Sequence, residues 1–395
     1  MSKKTIFFMA LLISGNMIGA GILAVPIVAG FAGFYPSLFA MFFLCAAMLY
    51  TGFVLIHEIN EEKQETFNLP SLYGQHFGVS GKWITSIANM TIFYGVLTSY
   101  LAGSTQLSMI LFNIDSSFEP LVLLSIFVLF TSLAVSSITI IERYNSFFML
   151  ILAVAFLSLI GLGAPEIETS RLSEVDWKFL PVAIPMIVAG FVFHYVMPSL
   201  CKASKWSKEI YKPVLIGMAI AFFMNILWLI VGIGVVPKLG DVSLLEAYVT
   251  GVPVTVEMSK ILGSELFLVV ASIFAIVAIT TSFISIGMSL KDFLEDIFVN
   301  SFNLQNRYLL FGVAFLPPLF ISYLYADIFL KALGFVGGFG VVILFGILPS
   351  IIAYKRANTK ISKLISRFFI FVFCAMLVLT LLQTFGIIDI APVKG

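Results

Sequence analysis

Apolar residues run along this chain in long unbroken stretches, without the every-other-residue alternation of a half-buried strand. A membrane-crossing helix needs about 20 mostly apolar residues. On that criterion the chain predicts eleven spans, over 5–31, 34–59, 83–113, 120–141, 146–164, 181–201, 212–237, 264–290, 307–324, 330–353 and 367–388. Helices are the expected form, because in lipid each backbone N–H and C=O must be satisfied within its own segment. No stretch between the spans predicts a separate soluble domain. The stretch after Lys3 and Lys4 continues to Phe31 without a small-residue cleavage site, which predicts a retained first helix.

Lysine and arginine orient the spans. With the N-terminus inside, sixteen of the 22 basic residues fall on the cytoplasmic side and six on the outer side (Arg171, Lys178, Lys238, Lys260, Lys331 and Lys394). An error of one span would scramble that bias, so the pattern supports eleven, with the N-terminus cytoplasmic and the C-terminus outside. Trp83, Trp177 and Trp206 fall near predicted interfaces, as belt residues do.

Composition agrees with the pattern. Of 395 residues, 60% are hydrophobic and 11% charged, against about 25% charged in a soluble domain. That excludes a globular cytosolic enzyme. With 22 basic and 21 acidic residues the net charge is +1, so no nucleic-acid partner is implied; membrane lipid is the expected surround. Cys45, Cys201 and Cys374 are widely spaced and read as small buried residues.

Two spans are not smooth. The first contains Ser14-Gly15-Asn16-Met17-Ile18-Gly19-Ala20-Gly21 and then Pro26, poor helix material at mid-membrane depth. The sixth contains Pro181, Pro185, Gly190-Phe191-Val192-Phe193-His194 and Pro198, and must kink or break. Close packing through small residues, or a packing kink, is the competing reading of each. The other reading is unwound backbone that presents free N–H and C=O groups to a ligand. If the first ten spans form two units of five, each unit begins with its broken helix. Five being odd, the second unit enters from the opposite side, so the repeat is inverted. The predicted units are 1–165 and 181–353, with an eleventh helix at 367–388.

The segment Gly15-Asn16-Met17-Ile18-Gly19-Ala20-Gly21-Ile22-Leu23-Ala24-Val25-Pro26 resembles the first-helix motif of permeases in the amino acid–polyamine–organocation superfamily. The nearest likeness is to the hydroxy/aromatic amino acid permeases of the tyrosine and tryptophan type. It extends to Phe193-His194 and Pro198-Ser199 in span six and to Thr281-Ser282-Phe283 in span eight. The resemblance implies a leucine-transporter-type fold, five plus five inverted helices with one extra, rocking spans one, two, six and seven against the rest. It also implies inward transport of an aromatic amino acid across the cytoplasmic (inner) membrane.

The residues themselves suit a neutral zwitterion. No span carries Asp, Glu, Lys or Arg near its centre, and His194 is the one deep titratable side chain, whereas a charged substrate side chain would need an opposite charge. A carboxylate can take backbone N–H groups around Gly19, Ala20 and Gly21, and an ammonium can take carbonyls near Asn16 and Phe191. Phe191, Phe193, Tyr94 and Tyr100 are candidates to wall an aromatic pocket, although in a chain with 41 Phe ordinary packing competes at each position. His194 reads either as a donor to a backbone carbonyl at the break or as a proton carrier or substrate partner. His76, in the loop after span two, reads as exposed.

Two coupling ions stay open, Na⁺ and H⁺, and no cofactor is expected. Thr281 and Ser282, a carbonyl at Ala278 and carbonyls of Gly15 and Ile18 would supply five hard oxygens for sodium. The spacing at Ala278, Thr281 and Ser282 resembles the second sodium site of the leucine-transporter fold. Against it, such hydroxyls often bond back to their own helix, and the resemblance to bacterial aromatic permeases implies proton coupling instead. Sodium-coupled transport of small or aliphatic neutral amino acids is the alternative substrate reading. A membrane-embedded enzyme would need paired catalytic groups at depth, and a channel would favour symmetric pore-lining rings; neither pattern occurs. The outer loop 238–263 predicts two short interfacial helices around Gly251-Val252-Pro253, as a lid or as ordinary interfacial structure. No oligomeric state follows.

Overall fold

The computed structural model describes residues 1–19, 21–62, 69–136, 138–302, 306–388 and 390, without the side chains of 136, 138–146, 149, 296, 299–302 and 307. The apolar stretches are helices: α1 (Lys3–Met17), α2 (Gly21–Ala32), α3 (Phe34–Glu62), α4 (Leu69–Leu111), α5 (Glu119–Ser136), α6 (Ile138–Gly163), α7 (Thr169–Leu172), α8 (Leu180–Ala189) and α9 (Met197–Ala203). The second half holds α10 (Tyr211–Val235), α11 (Leu244–Thr250), α12 (Val254–Leu262), α13 (Glu265–Phe302), α14 (Arg307–Leu324), α15 (Ile328–Phe335), α16 (Leu348–Arg356) and α17 (Lys360–Thr384). A π-helical run, Val336–Ile347, joins α15 to α16.

Among the described residues eight helices are long and apolar enough to cross a membrane, or nine when α1 and α2 form one bent span. Shorter apolar helices, Leu150–Glu166 and Tyr308–Leu324, lie where the fifth and ninth spans are expected. The chain is an all-helical, multi-pass membrane protein.

Helix boundaries differ from expectation in three places. α4 starts at Leu69, not 83, and is broken at Gly78 (φ +68°). Its first part buries Leu69, Pro70, Leu72 and Tyr73 and leaves Ser71 and Gln75 on the other side; a one-sided helix of this kind has no continuous apolar run to find. α6 begins at Ile138, so Glu142 and Arg143, which fall between the expected spans 120–141 and 146–164, lie on a helix. α13 continues past 290 to Phe302.

Both expected interruptions are present. α1 and α2 meet at 57°. α8 ends at Ala189, a short 3₁₀ turn covers His194–Val196, and α9 follows with Pro198 in its first turn. The helices pack in two groups. α1, α2, α3, α8, α9 and α10 contact one another, and α4, α5, α6, α13, α14, α15 and the π run do the same. α3 against α16, and α8 against the π run, join the groups, while α17 lies outside on the π run and α16. Small residues allow the close crossings: a Cβ on Gly337 of the π run would sit 2.0 Å from the Pro185 carbonyl oxygen of α8.

Candidate functional site

The ladder of α1 ends where the Ile18 N–H donates to the Ser14 carbonyl at 3.0 Å, and Ile18 leaves helical geometry at φ −91°, ψ 42°. The chain resumes as Ile22 N–H donates to the Gly19 carbonyl at 3.1 Å. Ala20 lies outside the described residues. Ile18 and Gly19 are buried, whereas Gly15, Asn16 and Gly21 keep partial exposure, so the break is not packed shut.

Three helices converge on it. A Cβ built on Gly19 would lie 3.3 Å from both the Ser282 hydroxyl on α13 and the Tyr100 hydroxyl on α4. Asn16 is fixed at both ends of its amide: Nδ2 donates to the Leu12 carbonyl at 3.0 Å, and Oδ1 accepts from the Tyr195 hydroxyl at 3.1 Å. Tyr195 comes from the break in span six, so a single bond ties the two interruptions together. The Thr281 hydroxyl donates back to Val277 O (2.9 Å) and Ala278 O (3.2 Å), which leaves its oxygen free to accept or coordinate. Thr281 and Ser282 are half-buried and Ala278 is buried.

Tyr195 and Asn225 are polar residues at the breaks that the sequence reading did not single out. Asn225 lies in the apolar helix α10, buried, with Nδ2 donating to Ala221 O at 2.9 Å. Its Oδ1 would be 3.9 Å from a Cβ on Gly190, at the broken end of α8. The available signal was a lone amide in an otherwise apolar span.

The remaining candidates face elsewhere. Phe193 fills the space beside Gly52 on α3, where a Cβ would meet its ring at 2.3 Å. His194 is fully buried between the rings of Phe193 (4.6 Å) and Phe345 (4.9 Å). Its Nε2 lies 3.0 Å from the Thr51 hydroxyl of α3, while Nδ1 has no partner among the described residues. Phe191 packs on Phe222 of α10, with ring centres 6.2 Å apart. The Tyr94 hydroxyl donates to Val313 O at 2.6 Å. Tyr94 also lines a cavity of about 670 Å³ with Val28, Thr98, Pro185, Met186, Tyr248 and Phe335; no residue of the α1–α2 break lines it.

Over residues 2–391 the chain matches the model of the tryptophan/tyrosine permease family. It belongs to that family. Tyrosine-specific transport system 1 of Haemophilus influenzae is 27% identical over 332 residues, covering 83% of this chain and 82% of the relative. The tryptophan-specific transport protein of the same organism is 27% identical over 381 residues, 89% and 87% of the two chains. Glutamine transporter 2 of Aliivibrio fischeri is 25% identical over 343 residues, 84% of each. Among solved structures, MhsT in complex with L-phenylalanine superposes with TM-score 0.64 at 13% identity, over 96% of this chain and 98% of that one. That likeness shows a leucine-transporter-type fold. The permease is therefore an amino acid transport protein and not an enzyme.

Proposed function

We propose that the permease is a cation-coupled symporter of a neutral, aromatic amino acid, tyrosine or tryptophan, working by alternating access in the cytoplasmic membrane. The observation that carries this reading is the convergence of the Tyr100 and Ser282 hydroxyls on Gly19 at the first break. Backbone N–H groups around Gly19, Ala20 and Gly21 take the substrate carboxylate, as a helix terminus takes anions. Carbonyls near Asn16 and Phe191 take the ammonium. Tyr100 closes one wall; Tyr94, Phe193, His194 and the ring of Phe191 shape the surroundings through packing. Eleven spans are assigned, two inverted units of five (1–165 and 181–353) and an extra helix at 367–388, with the N-terminus in the cytoplasm and the C-terminus outside. The two packing groups then move against each other about the joined breaks.

Sodium is the ion favoured by the local chemistry. Gly15 and Ile18 carbonyls with Ala278, Thr281 and Ser282 form an all-oxygen set, and among the described residues no group of three or more His, Cys, Asp or Glu is placed for a metal. A second reading, a neutral amino acid without an aromatic ring, is favoured by one finding: a relative that covers this chain as fully as the others is named a glutamine transporter.

Uptake of radiolabelled tyrosine, tryptophan, leucine and glutamine into proteoliposomes under an imposed sodium or proton gradient tests these assignments. Sodium-driven uptake of the aromatic pair, lost in Thr281→Ala/Ser282→Ala, is the expected result. Proton-driven uptake that survives in the variant removes the sodium site. Glutamine preferred over the aromatic pair removes the aromatic assignment. No gradient-dependent uptake by folded protein removes the transporter mechanism.

A further inference from the structure

Two carboxylates are buried among the described residues, Glu257 and Glu58. Glu257 pairs with Lys260 one turn along its own helix at 2.7 Å. Glu58 is different, because three separate segments of chain meet on it. Its Oε2 accepts from Arg356 of α16 at 2.8 Å and from His76 Nε2 of α4 at 2.9 Å. Among the described residues its Oε1 has no hydrogen-bond partner. The glutamate side chain is 1% exposed and the imidazole 20%, so His76, expected at the surface, is mostly covered.

Arg356 is a fork. One guanidinium nitrogen holds Glu58 and the other holds Glu61 Oε2 at 2.5 Å, a carboxylate 50% exposed. Lys355 donates to the His76 carbonyl at 2.9 Å and lies over the Phe77 ring. On α3 itself His57 pairs with Glu61 at 3.2 Å, and Glu62 follows one residue later. From α4 Tyr73 also faces this cluster, its hydroxyl donating to Leu344 O at 2.7 Å. α2, α8 and the π run have no ionisable side chain in their sequences. α9 and α10 bring Cys201, Lys202, Tyr211 and Lys212, the last paired with Glu209 at 2.6 Å.

We propose that Glu58 is a proton-binding site and that its protonation unclamps α3 from α16, loosening one packing group of helices from the other at the face read as cytoplasmic. The proposal rests on the transporter mechanism given above. Ionised, Glu58 completes two charge-assisted hydrogen bonds that hold α3, the start of α4 and α16 together; such bonds are about twice as strong as neutral ones. Its second oxygen, buried without a donor, makes the anion costly to hold. Adding a proton there turns the inner half of the Arg356 fork from a charge-assisted into a weaker neutral hydrogen bond and leaves the Arg356 charge to exposed Glu61, a pairing worth little across solvent. Burial of the neighbouring imidazole, with the Arg356 and Lys355 charges beside it, lowers its affinity for a further proton. Bundle opening at this face is therefore faster in acid.

The test has two readouts. Exchange of labelled for unlabelled tyrosine is followed in proteoliposomes with equal pH on both sides, from about pH 8 to about pH 5. In the wild type it rises at least about fivefold on acidification, the low end of an ordinary coupling. Glu58→Gln, an uncharged mimic of the acid, exchanges fast and flat across the range, and Arg356→Gln is raised at the alkaline end. Infrared titration of purified protein shows a protonated carboxyl carbonyl band appearing over the same range and missing in Glu58→Gln. A folded Glu58→Gln protein that keeps the wild-type pH profile overturns the proposal, as does an infrared band that the substitution does not remove. If the wild type exchanges no amino acid at any pH, the transporter mechanism falls, and the infrared titration by itself decides whether Glu58 takes up a proton.

Discussion

Gly19 sits where the backbone of α1 and α2 must come within reach of two hydroxyl-bearing helices. A methyl group there would be 3.3 Å from Ser282 Oγ, which can rotate aside, and 3.3 Å from Tyr100 OH, which moves only with its ring. Gly19→Ala is therefore expected to fold with a melting temperature near wild type. Its substrate uptake should fall about tenfold or more, since small displacements at a binding site are costly. Concentration-dependent uptake beside a thermal melt checks this, and unaltered uptake would remove Gly19 from the site. The glycine-rich break, Asn16 and the Thr281-Ser282 pair were readable in the chain because Gly, Asn and paired hydroxyls are conspicuous within apolar runs. Tyr195 and Asn225 were not, because one polar atom in a span is silent until its partner is known; here the partners lie 179 residues away for Tyr195 and across a helix contact for Asn225.

Local chemistry writes the elements. The helices of loop 238–263 formed as their caps dictate: Ser243 accepts from the Glu246 N–H at 3.1 Å to start α11, and Gly251 ends it at φ +70°. Gly251 is required twice over, because a Cβ would also lie 2.6 Å from the Asp327 carbonyl oxygen at the start of α15. Gly251→Ala is expected to cost about 1–3 kcal/mol from strain and contact together. A lowered melting temperature in detergent is the readout, and no change would mean that the loop is not seated on α15. The first part of α4 shows where element reading fails. Its nine residues before Gly78 pack by one face only, and a search for continuous apolar runs passes over such a segment. The cost of that omission was a misplaced His76, whose ring lies against Glu58.

The whole molecule depends on how its two packing groups touch. Gly337 and Pro185 form one such contact, backbone against backbone, and neither side can rotate away from an added methyl. Gly337→Ala should destabilise the fold by about 1–3 kcal/mol, visible as a lower melting temperature and a lower yield of monodisperse protein. A variant as stable as wild type would show that the groups separate there without penalty. Membership of the tryptophan/tyrosine permease family and the MhsT-like fold place this contact in a transport protein. Hydropathy by itself determined the membrane class and the helical form, and Gly, Asn and Pro within the apolar runs determined the sites of both interruptions. Each of these depends on neighbours within one stretch of chain, where the cost of burying a polar group is set locally. Tertiary structure alone decided which residues meet. It aimed Phe193 and His194 at α3, joined Asn16 to Tyr195, brought Tyr100 and Ser282 onto Gly19, and buried Glu58 beneath Arg356. Those outcomes depend on crossings between helices far apart in sequence, set by shape complementarity at small residues, and no local pattern encodes them.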